Sequence, residues 1–157
     1  MRKLLIASLV ALVAAPAFAQ LPNPYGASIT LEQARKIAAL SVAEAAKNNW
    51  KMAIAIVDVA GDLVYFEKMD GTQVASVNIA QDKARSSVRF KRPTKAMQDV
   101  LAGGGAGIRF LALQGAIPVE GGLPLIIDGK IVGAIGASGG TSDQDGLAAK
   151  AGADSVK

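Results

Sequence analysis

Lys83, Arg85, Arg89, Lys91, Arg92 and Lys95 follow one another with no acidic side chain between the first and the last. Arginine forks match the geometry of a carboxylate, so two or three of these cations could hold an organic acid. The same run also reads as a solvated helix face. Arg109 stands apart, just beyond the glycine loop Gly103-Gly104-Gly105-Ala106-Gly107, where a lone charge could swing toward a ligand or pair at the surface. Glu120 is the one carboxylate singled out for proton transfer, because a sheet-edge site would raise its pKa; a solvated loop glutamate is the alternative. Beside it, Gly121 and Gly122 allow a backbone to approach a ligand or a neighbouring subunit closely, or simply make a tight turn. Gly139-Gly140 leads into a helix start whose free N–H groups could take an anion, but Asp143 and Asp145 already supply negative charge there.

What the chain lacks narrows this chemistry. It has no histidine and no cysteine, which removes disulfides, thiolate nucleophiles, ordinary zinc sites and a Ser-His-Asp triad. Carboxylate, lysine, tyrosine or a substrate's own groups remain for acid–base work. Neither Gly103 nor Gly105 begins a complete dinucleotide fingerprint, since Ile108 and Phe110 hold the final glycine positions, and no phosphate loop precedes Gly129-Lys130.

Residues 1–19 read as a leader: Arg2 and Lys3 form a positive end, Leu4 to Ala15 an apolar run too short to span a bilayer, and Ala17-Phe18-Ala19 a cleavage pattern. Cleavage before Gln20 takes the 17 basic side chains to 15 against 13 acidic, a net charge of about +2. That balance argues against nucleic acid. About 138 residues remain, enough for one domain with a sizeable core. No other apolar run suggests membrane insertion once the leader is gone. The expected location is periplasmic or secreted, in a bacterium.

The elements that must position these residues follow from pattern. Gln20 to Ser28, with Pro22, Pro24 and Gly26, suits an extended, mobile arm. Thr30 and Gln33 form a capping box before a helix reaching about Asn48. Met52 to Val59 and Leu63 to Lys68 read as a hairpin around Ala60-Gly61-Asp62. Helical periodicity then runs from Val74 through Phe90 to a stop at Pro93, and Thr94 is positioned to cap a short helix to Leu101. Ile108 to Leu113 is a short apolar element and Ile117 to Val119 an edge strand beside Pro118. Leu123 to Ile127 and Ile131 to Ala137 flank Asp128-Gly129, the strongest short-range hairpin signal in the chain. Thr141 and Gln144 form a second capping box, opening a helix toward Val156 in which Gly146 and Gly152 predict fraying. Hairpins with helices before, between and after them define an α+β layered domain with an antiparallel sheet, in one piece from residue 29 to 157.

Asp82-Lys83-Ala84-Arg85, Arg92-Pro93-Thr94, Gly121-Gly122-Leu123-Pro124, Asp128-Gly129, Val132 to Gly139, Gln144-Asp145 and Ala148 to Gly152, in that order and spacing, resemble the GlcG/HbpS family from about Ile29 onward. The resemblance implies a profilin-like three-layer domain, a five-stranded antiparallel sheet between helices, that assembles into homo-oligomers. It also implies haem: the family includes extracellular haem-binding and haem-degrading proteins and the C-terminal domain of PduO-type enzymes, beside glycolate-operon members. On this reading Lys83, Arg85 and Arg89 contact propionates. With no histidine in the chain, an axial ligand would have to be tyrosine, lysine, methionine, a hydroxyl or water, or iron would have no protein ligand. Tyr65 has the best chemistry for that role, ahead of Tyr25, Met52, Met69 and Met97, though each also reads as a packing residue.

Three functions are therefore expected to compete. One is an exported haem or tetrapyrrole binder acting in uptake, buffering or sensing. Another is an isomerase or lyase of a small organic acid, using Glu120 or a lysine with an arginine clamp. The last is an extracytoplasmic module that docks on a membrane sensor.

Overall fold

The computed structural model describes residues 23–156. The leader assigned to residues 1–19, with Gln20, Leu21 and Pro22 of the arm, lies outside them. Helix α1 (Leu31–Lys47) begins as its sequence demands, with the Thr30 hydroxyl accepting from the Gln33 amide and the Gln33 side chain accepting from the Thr30 amide. Strands β1 (Ala53–Val57) and β2 (Leu63–Lys68) follow as an antiparallel hairpin. Helix α2 (Ser76–Phe90) ends in a left-handed Lys91, and α3 (Thr94–Ala102) leads into a 3-10 segment, Gly105–Ala112. Strands β3 (Gly122–Ile127) and β4 (Lys130–Ser138) turn at Asp128 and Gly129, both with positive φ (49° and 71°), as the hairpin signal requires. Helix α4 (Ser142–Ala153) closes the chain behind the second capping box.

The sheet has strand order β2-β1-β4-β3, every neighbouring pair antiparallel. Alternation along the buried β1 sorts its side chains between two cores. Ala53, Ala55 and Val57 meet Ala80, Ala84 and Val88 of α2. Ile54 and Ile56 face a core that includes Ile37 and Ala38 of α1 and Ala148 and Ala149 of α4. The result is three layers, α2 on one face and α1 with α4 on the other.

Three expectations are corrected. The sheet has four strands, not five: Ile117 to Val119 is no strand, because the Ile117 amide donates to the Ser86 hydroxyl and the Val119 amide to the Ile117 carbonyl. Those amides have no ladder left to join. The described part of the arm is extended but docked, running beside β4 with bonds from Ile131 N–H to the Pro24 carbonyl, Gly26 N–H to the Ile131 carbonyl and Ile29 N–H to the Val132 carbonyl, each 2.8 Å. Finally, Gly146 and Gly152 do not fray α4. A methyl group on Gly152 would collide with Ser41 and Ile37 of α1, and one on Gly146 with the Glu120 side chain, so both glycines mark close packing.

Candidate functional site

The predicted site residues divide into separate places. Lys83, Glu120, Gly121 and Gly122 converge where α2, α3, β3, β4 and α4 meet. Lys83 is 1 % exposed; its ammonium donates to Asp145 Oδ2 at 2.7 Å and to the Ala137 carbonyl at 3.3 Å. Asp145 also accepts from the Gly140 amide. Burial pushes the Asp145 carboxyl above its ordinary value, and the Lys83 ammonium and the Gly139 and Gly140 amides pull it back. With an ammonium at 2.7 Å, the pair is held as an ion pair inside the protein.

Gly121 and Gly122 serve this junction. At Gly121, with φ +128°, an added Cβ would lie 2.7 Å from the Ala137 carbonyl and 2.8 Å from Lys83 Nζ. Gly122 donates its amide to the Thr94 hydroxyl at 2.9 Å. Thr94 is therefore not the cap of α3, a position taken by Pro93; its buried hydroxyl fastens the α2–α3 corner to the start of β3. The close approach read from Gly121-Gly122 is real, and the partner is the protein's own backbone.

Glu120 donates its amide to Gln98 and turns its carboxylate over Gly146, with Oε2 3.7 Å from Lys95 Nζ and without a hydrogen bond. Burial pushes the carboxyl above its ordinary range, Lys95 pulls it down, and Asp143 and Asp99 push it up again. A folded-state value above the unfolded one means that the stability contributed by protonation is present at low pH and lost as pH rises through the folded-state value. Glu120→Gln is accordingly expected to flatten the stability profile between about pH 4 and 7 and to equal or exceed the parent at pH 7. Urea unfolding at both ends of that range checks it, and an unchanged slope would refute the burial argument.

Arg85 and Arg89 lie elsewhere, one turn apart on α2. Arg85 donates to the Gly61 carbonyl and to Gln81 and Asp82 of its own helix, and Arg89 passes the same β1–β2 turn, within 3.2 Å of where a Gly61 Cβ would stand. Arg109, exposed on the 3-10 segment, lies over the Phe110 ring with its guanidinium carbon 5.9 Å from the centroid. Tyr65 is on the far side of the sheet: it pairs with Ile56, packs on the α1 core, and donates its hydroxyl to Glu67 at 2.9 Å. The sheet separates it from both arginines of α2, so these residues do not form one site.

A cavity opens away from all of these, and of the basic run only Lys91 reaches it. A cleft of about 670 Å³ opens along the outer edge of β3, walled by Leu123, Pro124 and Ile126, by Pro93 after α2, and by Ala153 and Val156 at the end of α4. Its volume falls in the range of about 300–1,000 Å³ usual for small-molecule sites. Lys91 and Lys150 stand on its rim, and Asp128 and Asp154 line it too, so the cleft carries both signs of charge. Lys150 pairs with Asp154, whereas Lys91 sits 4.1 Å from the centroid of the Tyr25 ring. The Thr94–Gly122 bond lies one residue from both Pro93 and Leu123, so the buried junction ties two of the cleft's walls together. Sequence reasoning marked Leu123-Pro124 as a motif but not as a wall, because the other walls come from distant parts of the chain. The apolar walls suit a flat apolar ligand, with Lys91 placed to meet an anionic group on it; histidine, cysteine, methionine and tyrosine are all missing from the lining.

A three-layer α+β domain with an apolar cleft at its sheet edge is the class these features define. The family model for haem-degrading HbpS-like proteins matches residues 29–154, and the chain belongs to that family. It is 36 % identical over 110 residues to protein GlcG of Escherichia coli strain K12, covering 70 % of this chain and 81 % of that one. Among solved structures it is similar to a double mutant of Streptomyces reticuli HbpS, at 28 % identity and TM-score 0.77, covering 97 % and 99 % of the two chains. It also shares its fold with the PduOC–haem complex, at 23 % identity and TM-score 0.74, covering 83 % and 96 %.

Proposed function

We propose that this protein is an exported tetrapyrrole binder, with haem as the prototype ligand, and that the β3-edge cleft is the binding site. The observation that carries the proposal is the apolar cleft itself, with Lys91 and Lys150 at its rim to meet carboxylates. Membership of a haem-degrading family supports the ligand class. The leader read in residues 1–19 supports export to the periplasm or beyond. Among the described residues no helix is long and apolar enough to cross a membrane. Self-association into a homo-oligomer belongs to the same proposal, and Ile108, Leu111 and Leu113, all exposed on or beside the 3-10 segment, offer apolar surface for it to cover.

Haem titration of the chain from Gln20, followed by Soret absorbance, tests the reading. Saturable binding is expected, weakened by about tenfold or more in Leu123→Asp, which places a charge on the cleft wall. Arg85→Ala, on a different surface, is expected to leave it unchanged. A featureless titration, or loss of binding in Arg85→Ala with Leu123→Asp unaffected, overturns the assignment.

A further inference from the structure

We propose that the cleft recognises the tetrapyrrole ring and its carboxylates and not the iron, so that a metal-free porphyrin dicarboxylate binds as well as haem; this rests on the tetrapyrrole reading above. Haem iron in proteins is held by histidine, cysteine thiolate, methionine or tyrosine phenolate, and among the described residues no serine or threonine lines the cleft to offer a hydroxyl instead. Histidine and cysteine do not occur in this chain. Met52 and Met97 are wholly buried, and Met69 packs against the α1 side of the sheet.

The two tyrosines are both engaged. Tyr25 donates its hydroxyl to the Val88 carbonyl at 2.8 Å. Tyr65 donates to Glu67, and this bond, with burial, pushes its hydroxyl above the ordinary range, away from the phenolate that would ligate iron. On the cleft rim, Lys150 is in an ion pair and Lys91 lies over an aromatic ring, the posture of an ammonium, which has no lone pair to give a metal. What the cleft supplies is an apolar wall and, beside two aspartates (Asp128 and Asp154), the two lysines of its rim. Both act on the macrocycle and its side chains, which haem and its metal-free counterpart share.

The discriminating experiment titrates the chain from Gln20 with haem and, separately, with metal-free protoporphyrin IX, read by Soret absorbance and by quenching of Trp50. The expected result is a pair of dissociation constants within about fivefold of each other, both raised by the same factor in Leu123→Asp and in Lys91→Glu. Lys91→Glu changes a rim residue and keeps the comparison valid if Leu123→Asp fails to fold. Haem binding more than about fivefold tighter than the metal-free ring, or lost in Tyr65→Phe, would overturn metal indifference while leaving the tetrapyrrole reading standing. If neither ligand binds, the tetrapyrrole reading itself falls, and this inference with it.

Discussion

Lys83→Met is expected to destabilise the domain by about 3–5 kcal/mol at pH 7, because it leaves Asp145 buried without its cation. Protonation limits the damage: neutralising a carboxylate of ordinary pKa at pH 7 costs roughly 4 kcal/mol, about three pKa units at 1.36 each. The size of the loss should therefore depend on pH. In the variant the Asp145 carboxyl, already raised by burial, loses the ammonium that pulled it down, so its folded-state value rises further. A raised value means stability present at low pH and lost as pH rises, so the gap from the parent should narrow on acidification from pH 7 toward 4. Lys83→Met with Asp145→Leu should recover most of the loss, since an apolar pair of similar volume needs no ionic partner. Urea midpoints at several pH values measure all three effects. A loss below about 1 kcal/mol without pH dependence would mean that the pair contributes no more than a surface ion pair.

Gly136→Ala is expected to cost about 3 kcal/mol or more, at the upper end of what overpacking a core usually does. The α2 backbone rests directly on this residue. An added Cβ would stand 2.7 Å from the Ala84 amide nitrogen and closer still to the Ala80 carbonyl, and neither can move without displacing the helix. Backbone conformation is not the reason, since Gly136 is not among the glycines with positive φ. Gly129→Ala is the matched control: at φ +71° with nothing within 4 Å, it should lose only the roughly 1–2 kcal/mol of left-handed strain. Urea unfolding compares them, and a Gly136→Ala loss no larger than that of Gly129→Ala would show that α2 can yield. Because α2 carries Lys83, Gly136→Ala and Lys83→Met should combine non-additively.

Local chemistry made much of this fold legible. Thr30 with Gln33 and Thr141 with Gln144 set two helix starts through bonds spanning three residues. Asp128-Gly129 set the hairpin through two positive φ angles. A layered α+β domain followed from alternating hairpins and amphipathic helices, and its three layers from the family resemblance. Misreadings occurred where a residue's partner lies far along the chain. Ile117 to Val119 had strand-like composition but lost its amide to Ser86. Pro24 to Ser28 had the composition of a loose arm, yet β4 extends past the end of β1 and leaves an edge for it. Gly146 and Gly152 looked like weak points of a helix because the surfaces they contact, Glu120 and Ser41, belong to other elements.

The candidate site shows the same division. Type and spacing drew attention to Lys83 and Gly121-Gly122, as they would to any charged residue or glycine pair, but could not say that one ammonium faces a carboxylate 62 residues away. The sequence by itself determined the order of the main helices and hairpins, both capping boxes, the tight hairpin, the family resemblance and the absence of histidine and cysteine. Only the tertiary structure decided that Lys83 is internal, that Tyr65 and the α2 arginines lie on opposite sides of the sheet, and that a cleft opens along β3. The reason is physical: caps and turns are closed by bonds between near neighbours, whereas burial, charge pairing and cavities arise between surfaces that the chain brings together only when it folds.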